Sequence, residues 1–299
     1  MTHAYQTPLA VFLGFKYLTA ARMEMVKQEV KADMVTLLLA YAGVGAVAGV
    51  LAGLLGIGGG LVIVPMLVCA FTWQGIDQAI IMQAALGTSM ASIVFTAVSS
   101  FMAHHRRGAV QWSIVRRITP GVLLGTFGGS WIAARMPTGF LKGFFVLFLY
   151  FVATQMLLGK KPKPSRELPG LAGMSAAGGI IGIFSSLVGI GGGTLSVPFM
   201  MFHNVPVHRA IGTSAAIGFP IAIAGTLGYV INGLKASGVP PYSLGFIYLP
   251  ALAGIVVASI LTAPLGVRLA HYLPVERLKR VFAVLLYVVG TRMLFGLLK

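Results

Sequence analysis

The sequence predicts an all-α integral membrane protein made of two homologous repeats, inverted relative to one another, each with a glycine-broken helix. Three observations predict it. Of 299 residues, 57% are hydrophobic and 9% charged, with a mean hydropathy of +0.91, far from the roughly one-quarter charged residues of a soluble domain. Gly56-Ile57-Gly58-Gly59-Gly60 recurs as Gly189-Ile190-Gly191-Gly192-Gly193, each followed at equal distance by a proline, Pro65 and Pro198. The basic residues gather in short loops, and their pattern shifts by one loop between the halves.

Taken in order, residues 1–34 mix Lys16, Arg22, Lys27 and Lys31 with Glu24, Glu29 and Asp33. They lack the basic-then-apolar plan of a signal peptide and are expected to lie on the membrane surface as an amphipathic segment. The first transmembrane repeat is 35–158, a cytoplasmic linker 159–168, and the second repeat 169–299. Apolar stretches of about 20 residues, enough to span a bilayer as helix, occur at 35–55, 79–103, 118–134, 139–158, 170–188, 210–231, 244–266 and 281–298. None alternates in the manner of a barrel strand. The runs 61–73 and 194–202 are too short to span, and the glycine breaks before them are expected to let them fold back. Downstream, Leu86-Gly87-Thr88-Ser89 answers Ile211-Gly212-Thr213-Ser214, and Pro137, Leu141, Lys142, Phe145, Tyr150, Thr154 and Met156 answer Pro274, Leu278, Lys279, Phe282, Tyr287, Thr291 and Met293. The offset moves from 133 (189 − 56) to 125 (212 − 87) to 137 (278 − 141), so insertions fall between the motifs and leave them whole.

The balance of 22 basic to 6 acidic residues reads as a topology signal rather than a nucleic-acid footprint. Arg106, Arg107, Arg116 and Arg117 in one loop, and Lys160, Lys161, Lys163 and Arg166 in the linker, belong in the cytoplasm by the positive-inside rule. In the second half the matching loop 232–244 holds only Lys235, and the cluster moves to Arg268, Arg277, Lys279 and Arg280. That shift is what inversion predicts; four parallel spans per repeat is the alternative. Cys69 is expected as a small buried apolar residue. His104, His105, His203, His208 and His271 are expected at the membrane interface, and the aromatic run from Phe144 to Phe151 on a lipid-facing helix.

Glycine clusters inside hydrocarbon expose backbone N–H and C=O groups that must line a cavity or be buried in protein. A helix restarting after such a break points its first N–H groups and the positive end of its dipole into the gap. Gly58, Gly59 and Gly60 with Gly191, Gly192 and Gly193 therefore form a candidate anion site without formal charge. Gly87, Thr88 and Ser89 with Gly212, Thr213 and Ser214 add hydroxyl donors. Arg209, where the first half has Ala84, is a charged candidate. Thr88, Ser92, Thr96 and Ser99 share one helix face, either as a polar lining or bonded to their own backbone. No carboxylate falls within an expected span, Asp77 being in a loop, which argues against a cation pump. There is no metal-ligand spacing and no cofactor motif; an intramembrane serine protease would need a histidine beside Ser89 or Ser214 and only the edge histidines are available, so no enzyme is expected.

G-[IL]-G-G-G followed by V-P and then G-T-S, once in each half of a hydrophobic chain, resembles the TauE/SafE family of membrane transporters, also called the sulfite exporter family. The resemblance covers roughly 35–299 and leaves the N-terminal segment outside. It implies a secondary carrier of small sulfur-containing or organic anions, sulfite-, sulfonate- or thiosulfate-like, in the bacterial cytoplasmic (inner) membrane. The partners expected are a small anionic substrate and the lipid bilayer, with no nucleic acid; a homo-oligomer is compatible with the chain. Alternating access at the repeat interface is the expected mechanism, and an anion channel using the same Gly, Thr and Ser donors as a filter is the alternative.

Overall fold

The computed structural model describes residues 35–54, 59–158, 167–272 and 275–298. The chain divides into two compact units, Met1–Ala40 and Tyr41–Lys299. Of the first, only the opening of helix α1 is described; the packing below belongs to the second. The surface segment 1–34, the basic linker residues Lys160 to Arg166, and Gly58 of the first glycine cluster lie outside the described residues.

The helices are α1 (Val35–Leu54), α2 (Gly60–Trp73), α3 (Ile81–His105), α4 (Trp112–Arg135), α5 (Thr138–Leu158), α6 (Leu171–Val188), α7 (Gly193–Phe202), α8 (Val207–Gly233), α9 (Leu249–Tyr272) and α10 (Val275–Leu298). A minimal hairpin, β1 (Ser243–Leu244) and β2 (Ile247–Tyr248), precedes α9. Among the described residues, seven helices, α1, α3, α5, α6, α8, α9 and α10, are long and apolar enough to cross a membrane. The apolar part of α4 is diluted by Gly121, Gly125, Gly128 and Gly129 and closed by Arg135. Leu124, Leu147 and Val281 are 79%, 69% and 70% exposed; so much outward-facing hydrocarbon suits a lipid solvent and not water. The chain is a multi-pass membrane protein.

The short helix α2 folds back along α1, and α7 packs against α8. Gly59, the N-cap of α2, has φ 75°, ψ −9° and would, given a Cβ, meet Ala48 O of α1 at 2.7 Å. At the far end of α2 the Gln74 amide donates to the Tyr41 hydroxyl of α1. In the second half α6 ends on Gly189 in the left-handed region, with Ile190 N–H donating to Ser185 O at 3.0 Å, a left-handed helix stop of the kind glycine favours. Gly192 then opens α7 at φ 75°, ψ −8°, within a degree of Gly59 in both angles.

Small residues let the long helices approach, as they do where no hydrophobic effect drives helices together. On α4, Cβ atoms at Gly121, Gly125 and Gly129 would stand 1.7, 2.1 and 2.1 Å from Ser175 O, Gly179 O and Ser186 Oγ of α6. On α1, Gly45, Gly49 and Gly53 are pressed in the same way against Ile255, Thr262 and Ala263 of α9. Both pairs run parallel. By contrast α3 and α8 are antiparallel: Gly225 faces Met90, Gly218 faces Ala97, and Gly87 faces Tyr229. So are α5 and α10, where the Tyr150 hydroxyl meets Thr291 Oγ1 at 3.0 Å and Thr154 Oγ1 meets the Tyr287 hydroxyl at 2.5 Å.

These directions gather the loops at two ends. At one end Arg107, just after α3, donates to Val267 O near the end of α9 at 2.9 Å. At the other, Thr138 donates to Ala79 O at 2.6 Å, Lys142 to Gln78 Oε1 at 3.1 Å, and Arg135 to Asn232 Oδ1 at 3.1 Å.

Four expectations need correction. The stretch 244–266 is not helical from its start, because Tyr242 and Gly245 at φ 62° and 57° turn the chain into the hairpin before α9 begins. Cys69 is exposed, not buried, since it lies on the outer face of α2. The aromatic helix α5 is not simply lipid-facing: Phe145 and Phe148 are buried while Phe151 is exposed. His104 and His203 are buried, because α3 and α7 carry them inward at their last turns.

Candidate glycine-break site

The two breaks meet. A Cβ on Gly60 would stand 2.1 Å from Gly189 O and 3.0 Å from Ile190 Cα, so backbone touches backbone with no side chain between. Gly59, Gly60 and all of 188–194 are buried. Neither α2 nor α7 has a side-chain N-cap bond. In α7 the first internal bonds run from Leu195 and Ser196 N–H to Gly192 O at 3.1 and 2.8 Å, and in α2 from Val62 and Ile63 to Gly59 O at 3.0 and 3.1 Å. The first N–H groups of each helix, at Gly60 and Leu61 and at Gly193 and Thr194, therefore fall outside the helix's own ladder. They carry the positive end of the dipole into a buried, protein-lined zone.

The glycine-threonine-serine motifs brace this zone from both sides. Ser89 Oγ donates to Gly189 O at 2.8 Å, tying α3 to the second break. Ser214 Oγ lies 2.8 Å from Ser196 Oγ, tying α8 to α7. Both threonines accept from a loop that leads into a helix of the other half: Thr88 from Tyr248 N–H at 3.0 Å and Thr213 from Gln111 N–H at 2.9 Å. Gly87 and Gly212 make room for those loops, each 2.8 Å at a notional Cβ from Phe246 O and Ala109 O respectively. The Thr88 and Thr213 oxygens thus anchor backbone, and each hydroxyl retains its O–H donor and a second lone pair.

Three hydroxyls at the second break escaped the sequence reading. Ser196 is the partner of Ser214; Ser185 and Thr194 are buried with no hydrogen-bond partner among the described residues. Ser185 Oγ is 3.3 Å from where a Gly192 Cβ would be. At the shared offset of 133 the first half has Ala52, Leu61 and Ile63, so a search for what the halves hold in common passes over these positions. Polar chemistry is concentrated on one break.

Other candidates lie apart. Arg209 is exposed at the start of α8 and does not join the buried group. Ser92 and Thr96 bond to Ser89 O and Ser92 O at 2.7 and 3.0 Å, Thr96 also reaches Ser259 Oγ at 2.8 Å, and Ser99 donates to Ile260 O at 3.0 Å. That stripe cements α3 to its own backbone and to α9. A cavity of about 780 Å³ lies between α5, α6 and α7, lined by apolar residues such as Phe148, Phe184 and Phe199, and includes Leu195 and Ile181 beside the second break.

The sulfite exporter TauE/SafE family model matches residues 41–293, a stretch that takes in both breaks and both glycine-threonine-serine motifs. The chain belongs to the TauE/SafE family. It is 40% identical over 263 residues to a protein of Haemophilus influenzae described as a probable membrane transporter protein, covering 87% of this chain and 99% of that one. A probable membrane transporter protein of Methanocaldococcus jannaschii is 26% identical over 84% of this chain and 93% of its own. Bacillus subtilis YunE, likewise described, is 29% identical over 63% of this chain and 77% of its own. No solved structure matches the chain.

Proposed function

We propose that this TauE/SafE protein is a secondary transporter of small anions, sulfur-containing or organic, whose site is the pair of apposed glycine breaks. The observation that carries the reading is the contact of Gly60 with Gly189, which sets the N-terminus of α2 against the break that leads into α7, the two helices each opened by a left-handed glycine and neither capped by a side chain. Such ends bind anions through N–H groups and dipole. With Arg209 exposed, the buried donors are neutral: backbone N–H groups and the hydroxyls of Ser185 and Thr194. An oxyanion with several acceptor oxygens suits them, and the family's description points to sulfur oxyanions.

Inverted repeats support alternating access. Corresponding helices of the halves meet antiparallel, as α3 with α8 and α5 with α10. Tyr150 pairs with Thr291 as Tyr287 pairs with Thr154, an exchange expected of a two-fold axis perpendicular to the helices. In a membrane that axis lies in the bilayer plane, and rocking of one half against the other exposes the site alternately. The end with exposed Arg106, Arg107, Arg116, Arg117 and Arg268 faces the cytoplasm by the positive-inside rule, in the inner membrane of a bacterium.

The test is a thermal-shift screen of purified protein against sulfite, thiosulfate, sulfoacetate and simple carboxylates. A ligand at a hundred times its Kd adds about 2.7 kcal/mol to folded-state stability. At least one of these anions should raise the unfolding temperature, Gly192→Ala should erase the shift, and Arg209→Gln should keep most of it. The opposite ranking would make a formal charge the ligand.

A further inference from the structure

Ser185 and Thr194 stand beside a space of the opposite character. Both hydroxyls are buried without a partner among the described residues. Ser185 lies in the last turn of α6, and its Oγ is 3.3 Å from the point where a Gly192 Cβ would be. Thr194 lies in the first turn of α7, whose opening N–H groups fall outside that helix's own ladder. Ile181, one turn before Ser185 on the same face of α6, places Cγ2 3.3 Å from the same Gly192 point. Ile181 also lines the cavity of about 780 Å³ between α5, α6 and α7, as does Leu195, the neighbour of Thr194. The hydroxyl pair and the cavity therefore share a wall. All ten residues lining the cavity are alanine, leucine, isoleucine or phenylalanine, so it has no polar group to hold water, and an inorganic oxyanion at the break would leave it unused. The other half lacks this pairing of polar and apolar chemistry. At the shared offset of 133, Ile181, Ser185, Thr194 and Leu195 correspond to Ala48, Ala52, Leu61 and Val62, and the Ala48 Cβ stands 3.1 Å from a notional Gly59 Cβ.

We propose that the substrate is an organic anion with a hydrocarbon body, its acidic head held by Ser185, Thr194 and the N-terminus of α7 and its alkyl or aryl part lying in the cavity between α5, α6 and α7. The inference rests on the anion reading above and adds a substrate class to it. The two parts of the site read different features. Hydroxyl and backbone N–H donors recognise the oxygens of the head and are indifferent to what is attached to it. The cavity recognises the attachment, because each methylene moved from water into an apolar enclosure tightens binding about fourfold. The body enters the cavity at the end formed by Ile181 and Leu195, where the wall is shared with the break. There it touches both halves of the protein, α5 of the first and α6 and α7 of the second.

The experiment is calorimetric titration of the full chain in lipid nanodiscs, with empty nanodiscs as the blank, using methanesulfonate and 1-butanesulfonate and the matched pair acetate and pentanoate. The quantity read is the ratio of affinities within each pair, which differ by three methylenes. For the head group that binds, the longer member should bind at least about tenfold more tightly. Ala177→Phe, which fills the cavity from α6, should bring that ratio close to one. Leu195→Ala, which trims the shared wall, should lower it and serves where the phenylalanine variant does not fold. Ser185→Ala should weaken both members by a similar factor, about tenfold or more, and leave the ratio as it was. A ratio near one in the wild type, as a lipid chain filling the cavity would give, overturns the hydrocarbon subsite. So does a ratio that survives both Ala177→Phe and Leu195→Ala. Either result leaves the anion site at the break standing. Failure of all four anions to bind overturns the subsite together with the reading on which it rests.

Discussion

Gly60→Ala probes the contact on which the site depends. Gly60 lies in the helical region, so alanine brings no backbone strain there and should even gain about 0.5–1 kcal/mol of helix propensity. The added Cβ, however, would stand 2.1 Å from Gly189 O and 3.0 Å from Gly189 C and Ile190 Cα. All three are backbone atoms that no rotamer change can move, so the breaks must part by roughly 1 Å, an overpacking strain of about 1–3 kcal/mol. The same movement takes Gly189 O away from Ser89 Oγ, now 2.8 Å distant, and leaving that buried carbonyl unpaired costs about 1–3 kcal/mol. The net loss is about 1–5 kcal/mol after the propensity gain. Thermal unfolding of purified protein should show it beside Gly128→Ala, whose Cβ would meet nothing within 4 Å and which should be neutral or slightly stabilising. Equal stability of the two variants would mean that the breaks do not touch.

Ser89→Ala should cost about 1–3 kcal/mol by orphaning Gly189 O, read as a lowered unfolding temperature, and Ser89→Thr should recover part of it. Tyr150→Phe and Tyr287→Phe should each lose about 0.5–1.5 kcal/mol and by similar amounts, since each removes one of two matched bonds; a loss confined to one would break the two-fold exchange. In a Cys69→Ala background, single cysteines at Arg106 and Arg268 should resist an impermeant thiol reagent added to cells, while one at Lys235 reacts. Labelling at 268 from outside would refute inversion.

Much of this was written locally. The glycine breaks were legible because they recur whole, and the fold-back of α2 because its apolar run is too short to span. Gly45, Gly49 and Gly53, and Gly121, Gly125 and Gly129, also show four-residue spacing in the sequence, but the helix each stripe meets is set by tertiary packing. The partners of Thr88 and Thr213 are loops more than 100 residues distant, which no local pattern announces. Ser185 and Thr194 were hidden for another reason: the halves differ there, and matching looks for identity. His104 sits in the last turn of its helix, where chain position suggests the interface and only the lean of α3 against α1 buries it.

The most direct test of the glycine-break carrier is counterflow of radiolabelled thiosulfate, or whichever anion the screen identifies, in proteoliposomes. The account predicts saturable uptake accelerated by unlabelled anion inside the vesicles, abolished by Gly192→Ala in folded, monodisperse protein and only partly lowered by Arg209→Gln. Uptake indifferent to internal anion, or fully retained in Gly192→Ala, would contradict it.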